Sequence, residues 1–185
     1  MLKSLIYYIN RGYLVLNENS NTIALFGGSF DPPHLGHKAI VEEALKVLNI
    51  DKLIVVPTFL NPFKESSYFT VEERLERTKM LFSDFENVMV NAYEINQKKP
   101  VPTVETLAFF QKSYEVLYLI IGADNLENIE KWQAFDRLNA EVIWLVATRS
   151  GYAIKSEKLR EFKLLNIEVD LSSTEIRNKI IKESL

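Results

Sequence analysis

The chain has 185 residues, of which 47% are hydrophobic, and it carries a formal net charge of -3. This length is enough for one well-buried core, and the slightly acidic balance provides no general basic field for binding nucleic acid. The chain contains no cysteine, which excludes disulfides, thiolate metal sites and a cysteine nucleophile.

Residues 1–21 precede the first strand that we predict for a central sheet. Their apolar run is interrupted at Asn10 and Arg11, which is too early for a signal peptide or a membrane span. We assign residues 1–21 to an N-terminal extension and residues 22–185 to a single domain. We expect a cytoplasmic protein that binds neither a membrane nor nucleic acid.

From residue 22 onwards, short apolar strands alternate with amphipathic helices. Several of the strands are continuously apolar, as expected when helices cover both faces of a parallel sheet. The predicted fold is therefore α/β, with a doubly wound, Rossmann-like, mostly parallel sheet and helices on both faces. Strands are predicted over residues 22–28, 52–57, 87–93, 115–122 and 140–149, and helices over residues 35–49, 71–85, 103–114 and 173–185.

In sheets of this kind, ligands bind beyond the carboxyl ends of the strands. The loops that follow Gly27, Pro57, Gly122 and Arg149 are therefore expected near the functional site. The first of them, GGSFDPPHLGH at residues 27–37, leads into a helix whose first N–H groups can bind an anion.

His34 and His37 lie three residues apart at the predicted helix entrance and are the only histidines in the chain. If the first helical turn is formed, they share a face and can address one phosphate group. Two alternatives stay open: a tight turn with surface histidines, or a zinc pair that lacks the usual further ligands. No G-x-G-x-x-G or G-x-x-x-x-G-K-[ST] motif occurs, which disfavours hydride transfer and P-loop chemistry.

The segment GGSFDPPHLGH strongly resembles the motif GG[ST]FDPxHxGH of the nicotinate mononucleotide adenylyltransferases, within the HxGH nucleotidyltransferase superfamily. The resemblance extends over residues 22–182, through VVPTFLNPFK, Pro102 and Thr103, LIIGADNLENIEKW, the turn at 149–152 and SSTEIR. It implies transfer of AMP from ATP to nicotinate mononucleotide, which gives nicotinate adenine dinucleotide and pyrophosphate in NAD biosynthesis. Assembly as a homo-oligomer is left open.

The resemblance also implies roles for individual residues. Those implied to act on the reacting phosphates are His34, His37 and Arg177. Those implied to bind ATP are Gly27, Gly28, Ser29, Phe30, Lys64, Gly122, Asp124 and Ser173. Those implied to bind the pyridine nucleotide are Thr103, through nearby backbone N–H groups, and Trp132, through ring stacking.

Several of these residues also have purely structural interpretations. Ser172-x-x-Glu175 fits a helix capping box, and Asp124 fits a charge that stabilises a helix start. Lys64 could be a solvated loop cation, Trp132 a core side chain and Thr103 a helix N-cap.

The implied reaction is in-line attack of the mononucleotide phosphate on the α-phosphorus of ATP. Because the attacking oxygen is already anionic, the reaction needs positioning and charge stabilisation rather than a protein nucleophile. We expect His34 and His37 to work best as charged donors. Mg²⁺ is expected with ATP, bridging the β- and γ-phosphates and held mostly by substrate and water, so no residue is assigned as a metal ligand.

The match to the family pattern departs at Phe63, where a histidine is usual, and at Pro102 and Gln133, where aromatic residues are common. The nearest alternative substrate is nicotinamide mononucleotide, which differs by one charged group. Pantetheine-phosphate and cytidylyl enzymes fit less well, because they generally lack the equivalent of His34 or of the doubled glycine. A nucleotide-binding protein without turnover is the alternative from a different class.

Overall fold

The computed structural model describes residues 7–10, 13–16, 21–61, 64–148, 154, 157–169 and 172–183. Six strands form one all-parallel sheet. They are β3 (Thr22–Gly28), β4 (Lys52–Pro57), β5 (Val88–Val90), β6 (Glu115–Gly122), β7 (Ile143–Ala147) and β8 (Phe162–Leu165). Two earlier strands, β1 (Tyr7–Asn10) and β2 (Tyr13–Leu16), form a separate antiparallel pair within the N-terminal extension.

The strand order of the sheet is β5-β4-β3-β6-β7-β8. The chain builds outward from β3 to one edge and then returns to build the other half from β6. This reversal is the topological switch point of a doubly wound fold, and ligands bind beyond the carboxyl ends of the two strands that flank it. The predicted Rossmann-like α/β fold is confirmed.

Helices cover both faces of this sheet. They are α1 (Leu35–Val47), α2 (Val71–Leu81), α3 (Tyr93–Asn96), α4 (Thr103–Phe110), a 3-10 helix (Ala123–Lys131), α5 (Phe135–Glu141) and α6 (Ser173–Glu183). Residues alternate between the faces, so Ile23 and Leu25 join one buried cluster while Ala24 and Phe26 join the other. Because both clusters need apolar partners, the central strands are apolar at nearly every position.

The predicted strand over 87–93 is shorter in the structure. The backbone N–H of Tyr93 donates to the side-chain oxygen of Asn91 at 2.9 Å, which turns the chain out of the sheet. Strand β5 therefore ends at Val90 and the short helix α3 begins at Tyr93. The predicted helices over 35–49, 71–85 and 103–114 also end earlier than expected.

One half of the capping box predicted at the start of α6 is present. The Glu175 N–H donates to the Ser172 hydroxyl at 3.1 Å, and that hydroxyl, rather than the Ser172 backbone, donates to the Glu175 carboxylate at 2.6 Å. A complete box caps α2, where Thr70 and Glu73 each accept the other's backbone N–H, at 3.2 and 2.9 Å. Since Ser172 performs the capping, Ser173 and Arg177 are available for other contacts.

Phe63 and the turn at 149–152 lie outside the described residues. The division of the chain at residue 22 stays a prediction. In the part of the chain that the structure describes, no helix is long and apolar enough to cross a membrane.

Candidate active site

A cavity of about 570 Å³ lies beyond the carboxyl ends of β3 and β6, where the fold predicts ligand binding. Its wall brings together all of the site residues proposed from the sequence, although they span the chain from residue 27 to residue 177. They are Gly27, Gly28, Ser29, Phe30, His34, His37, Lys64, Thr103, Gly122, Asp124, Trp132, Ser173 and Arg177.

Two glycines in this wall are required by close contacts. A Cβ on Gly28 would lie 3.2 Å from two ring carbons of Phe30, a buried residue whose φ of 47° turns the chain sharply. A Cβ on Gly122 would lie 2.3 Å from a carboxylate oxygen of Asp124, so any side chain there would displace that carboxylate. Gly27 has open space around it, which leaves room for a ligand beside the backbone.

The two histidines stack at the start of α1, with ring centroids 3.8 Å apart. His34 is the N-cap residue, and its backbone N–H donates to Nδ1 of His37 at 3.1 Å. A ring nitrogen that accepts a backbone N–H uses its lone pair for that bond, so Nδ1 of His37 contributes to capping the helix. The expectation that His37 acts as a charged donor towards bound ATP stays a prediction.

The ring of His37 is also held from the core side. It lies 4.8 Å from the Phe30 ring and 6.1 Å from the Phe26 ring, measured between centroids. Packing on one side and the backbone bond at Nδ1 leave the ring little rotational freedom. The site thus holds this ring in a fixed position, which costs little reorganisation when charge develops nearby.

Asp31 was not predicted as a functional residue, but it connects three parts of the site. Its buried carboxylate accepts the backbone N–H groups of Tyr68 and Phe69, both at 2.9 Å. The same carboxylate lies 3.8 Å from a guanidinium nitrogen of Arg177. Its position between Phe30 and Pro32 in the motif was the only available signal.

Helix α6 is attached to the loop between β3 and α1 by its first residues. The Ser173 hydroxyl donates to the Pro32 carbonyl at 2.9 Å, and Arg177 donates to the Asp31 carbonyl at 2.5 Å. Burial, followed by the positive charge of Arg177, lowers the pKa of Lys64. These three polar side chains therefore surround one end of the cavity with donors suited to an anion.

Arg74 is a second residue that the sequence analysis missed. It is fully buried, and its guanidinium donates to the carbonyls of Ser29, Thr58 and Phe59 at 2.6, 2.8 and 2.7 Å. These bonds join the loop after β3 to the loop after β4. In the sequence, Arg74 is one of several charges on an amphipathic helix, so nothing distinguished it.

The opposite end of the cavity is built by α4 and the 3-10 helix. Pro102 is the N-cap of α4 and Thr103 its first residue, so the interpretation of Thr103 as an N-cap is wrong. Trp132 follows the 3-10 helix, packs edge to face on Trp144 with centroids 6.2 Å apart, and also lines the cavity. Trp132 can therefore be both a core side chain and a side chain that faces a ligand.

Glu94 lines this same end and was not predicted. It is only 4% exposed, and one carboxylate oxygen accepts the Thr106 hydroxyl at 2.6 Å. The other oxygen, Oε2, is buried and has no hydrogen-bond partner among the described residues. Burial raises the pKa of Glu94 to about 7, against the opposing effect of the Thr106 bond.

Similarity to known proteins agrees with this geometry. A cytidylyltransferase-like family profile matches residues 25–179. Proteins described as probable nicotinate-nucleotide adenylyltransferases from Sulfurovum sp. and Aliarcobacter butzleri are 46% and 49% identical to this chain, covering 89% and 85% of it and 88% and 87% of their own lengths.

The solved structure of the Plasmodium falciparum nicotinic acid mononucleotide adenylyltransferase complexed with NaAD has a TM-score of 0.71 to this chain. At 22% identity over 85% of this chain and 83% of that one, it shows a shared fold. Identities of 46% and 49% over most of the length of each relative are more specific evidence of the family than a shared fold. The chain therefore belongs to the cytidylyltransferase-like family and, within it, to the nicotinate-nucleotide adenylyltransferases.

Proposed function

We propose that the protein transfers AMP from ATP to nicotinate mononucleotide, forming nicotinate adenine dinucleotide and pyrophosphate in NAD biosynthesis. The observation that carries this proposal is a single cavity with polar donors at one end and an aromatic wall at the other. Arg177 and the histidine pair lie at the first end, and Trp132 at the second. The names of the relatives support the same reaction.

In this proposal the triphosphate binds where α1 and α6 begin. His34, Lys64 and Arg177 would neutralise the phosphates that leave as pyrophosphate, and Ser173 would add a hydroxyl at the start of α6. The adenosine would extend towards Gly122, where the Asp124 carboxylate can accept a ribose hydroxyl. The loop from Gly27 to Phe30 would line the nucleotide.

His37 would donate its Nε2–H to an oxygen of the α-phosphate. This role needs a positioned donor and no base, because the group must stabilise charge on the phosphorus centre and need not accept a proton from the anionic nucleophile. The catalytic contribution then comes from the fixed position of His37 relative to both reactants.

The pyridine ring would stack on Trp132, with its carboxylate at the first turn of α4 near Thr103. This orientation places the mononucleotide phosphate towards the middle of the cavity. The two substrates would then meet beside His37, as in-line transfer requires.

The proposal includes Mg²⁺ bound with ATP, where it would supply positive charge to the β- and γ-phosphates. Among the described residues, no three His, Cys, Asp or Glu side chains form a metal-binding group. The donors at the phosphate end are cationic or neutral, which suits an ion held by phosphate oxygens and water rather than by a carboxylate cage.

The test is pyrophosphate release from ATP and Mg²⁺, with nicotinate or nicotinamide mononucleotide as acceptor and mass spectrometry of the dinucleotide. Preference for the acid supports the proposal, whereas preference for the amide would move the protein to the alternative substrate. Binding of ATP without pyrophosphate release in the presence of either acceptor would show that the protein does not catalyse this transfer. The Lys79→Ala variant controls for differences between protein preparations, because Lys79 lies on the exposed side of α2.

A further inference from the structure

Glu94 occupies an unusual position for a carboxylic acid. It lies on the short helix α3, is 4% exposed, and contributes to the cavity wall together with Pro102, Thr103 and Thr106. An isolated buried carboxylate is costly unless its oxygens are satisfied. Here the Thr106 hydroxyl satisfies Oε1, while Oε2 has no partner in the described part of the chain.

Thr106 connects Glu94 to the proposed substrate end of the cavity. It lies one turn after Thr103 on α4, so the two residues share a face of the helix. The Glu94 carboxyl is therefore adjacent to the helix start at which the pyridine substituent would bind. Its unsatisfied oxygen is a chemical group near this end that can distinguish a carboxylate from a carboxamide.

We propose that Glu94 is a specificity residue that reads the charge of the pyridine substituent through its own protonation state. A protonated carboxyl donates to the carboxylate of the acid substrate. An ionised carboxylate repels that group and accepts a hydrogen bond from the amide instead. This inference rests on the proposed function and deepens it.

The surroundings of Glu94 support a titration at accessible pH. From its own helix it faces Tyr93, whose pKa is raised by burial and then by the charges of Glu105 and Glu94. From α4 the Thr106 hydroxyl donates to it, whereas Glu105 on that helix is exposed and acts on Tyr93, and β4, against which α3 packs, presents buried apolar residues. No cation among the described residues shifts Glu94, and its pKa of about 7 reflects burial.

A linked proton uptake follows from this arrangement. Binding of the anionic substrate favours the protonated form of Glu94, so at alkaline pH the protein must take up a proton to bind it. Binding of the amide substrate has no such requirement. The two ligands share their phosphate and ribose, so the difference between them isolates the ring substituent.

The first measurement is the ratio of kcat/KM for nicotinate mononucleotide to that for nicotinamide mononucleotide, at about pH 6 and about pH 8.5. In the wild-type protein we expect the ratio to fall at least about tenfold over this range. In the Glu94→Gln variant, which cannot titrate, we expect a ratio independent of pH. The Thr106→Val variant removes a bond that lowers the pKa of Glu94, so its transition should move to higher pH.

The second measurement does not require turnover. Calorimetric binding of each mononucleotide, in buffers of different ionisation enthalpy, reports proton uptake directly. The inference is supported if binding of nicotinate mononucleotide, but not of nicotinamide mononucleotide, is accompanied by proton uptake, and if this uptake is absent in Glu94→Gln. A wild-type ratio that is flat with pH, or a pH profile that persists in Glu94→Gln, overturns it while leaving the proposed function intact. Absence of pyrophosphate release with both acceptors would reject the proposed function, and this inference with it.

Discussion

Individual side chains in this protein combine structural and chemical duties that a residue type alone does not reveal. His37 is the clearest example, because its Nδ1 caps the start of α1 while the proposed contact with the α-phosphate uses Nε2. Glu94 lines the cavity and is held in place by one carboxyl oxygen, while the other is buried without a hydrogen-bond partner among the described residues. In both cases, a hydrogen bond at one polar atom of the side chain fixes the position of the other polar atom.

The two duties of His37 can be separated by substitution. His37→Ala removes both, whereas His37→Gln keeps an acceptor for the His34 N–H at the third helical position, as in a capping box. We expect kcat to fall about 100-fold or more in both variants with a smaller change in the KM for ATP. Only His37→Ala should also lose about 1 kcal/mol of unfolding free energy, measured with urea.

Equal losses of stability in the two variants would contradict the capping role of Nδ1. An undiminished kcat in His37→Gln would contradict the donor role of Nε2.

Glu94 makes the stability of the protein depend on pH. Its pKa rises from 4.5 in the unfolded chain to about 7 in the folded protein, so the folded state holds the proton more tightly. The associated stability is fully present below about pH 4.5 and is lost as the pH rises through about 7. Glu94→Gln should therefore become the more stable protein above pH 7, by up to about 3 kcal/mol.

Chemical unfolding of both proteins between about pH 5 and about pH 8.5 checks this expectation. Parallel stability curves over that range would show that Glu94 does not titrate as the structure indicates.

At the scale of elements, the site depends on how loops and helix starts are tied together. Asp31 joins the loop after β3 to residues 68 and 69 and approaches Arg177 on α6. Arg74 extends from α2 beneath the same loop and reaches the loop after β4. Two buried charges, Asp31 and Arg74, thus join the loop after β3 to three other segments, so none of these segments needs to be rigid on its own.

Replacing Arg74 tests this arrangement. Arg74→Met leaves the carbonyls of Ser29, Thr58 and Phe59 without their shared donor, and we expect a loss of about 3 kcal/mol in unfolding free energy. Arg74→Lys retains one charge but cannot reach all three carbonyls, so it should lie between that variant and the wild type. Urea unfolding with Arg77→Met, on the same helix but exposed, provides the matched control. If Arg74→Met loses no more unfolding free energy than Arg77→Met, the three hydrogen bonds of Arg74 do not stabilise these loops.

At the scale of the whole molecule, both halves of the sheet contribute to one cavity. The histidines follow β3 in the first half, whereas Trp132 and Arg177 come from the second half. The switch between β3 and β6 creates the crevice, and α6 closes it from the far end of the chain. Binding across this crevice should therefore couple segments that are distant in sequence.

Hydrogen exchange with and without nicotinate adenine dinucleotide measures that coupling. We expect the dinucleotide to slow exchange together at the starts of α1, α4 and α6, because all three border the cavity. Exchange within α5 serves as the internal reference, since the described lining of the cavity includes no residue of that helix. Protection limited to one half of the sheet would contradict a ligand that spans the switch point.

The sequence by itself determined the fold class, the family and a set of residues that all line the cavity. Continuously apolar strands between amphipathic helices predict a doubly wound sheet, and GGSFDPPHLGH identifies the loop at its switch point. Element ends were less predictable: the Asn91 side chain stopped β5 at Val90 through a local hydrogen bond that apolar periodicity does not encode. The roles assigned to the site residues stay predictions until they are measured.

The tertiary structure alone decided the capping role of His37 and the importance of Asp31, Arg74 and Glu94. Each outcome depends on a hydrogen bond or on burial produced by folding, and three of the four involve partners more than ten residues away. Periodicity reports which face of an element is apolar, but not which polar group is buried with a distant partner. A charged residue on a helix therefore gives the same sequence pattern whether its side chain is solvated or is buried and bonded to the loops of the active site.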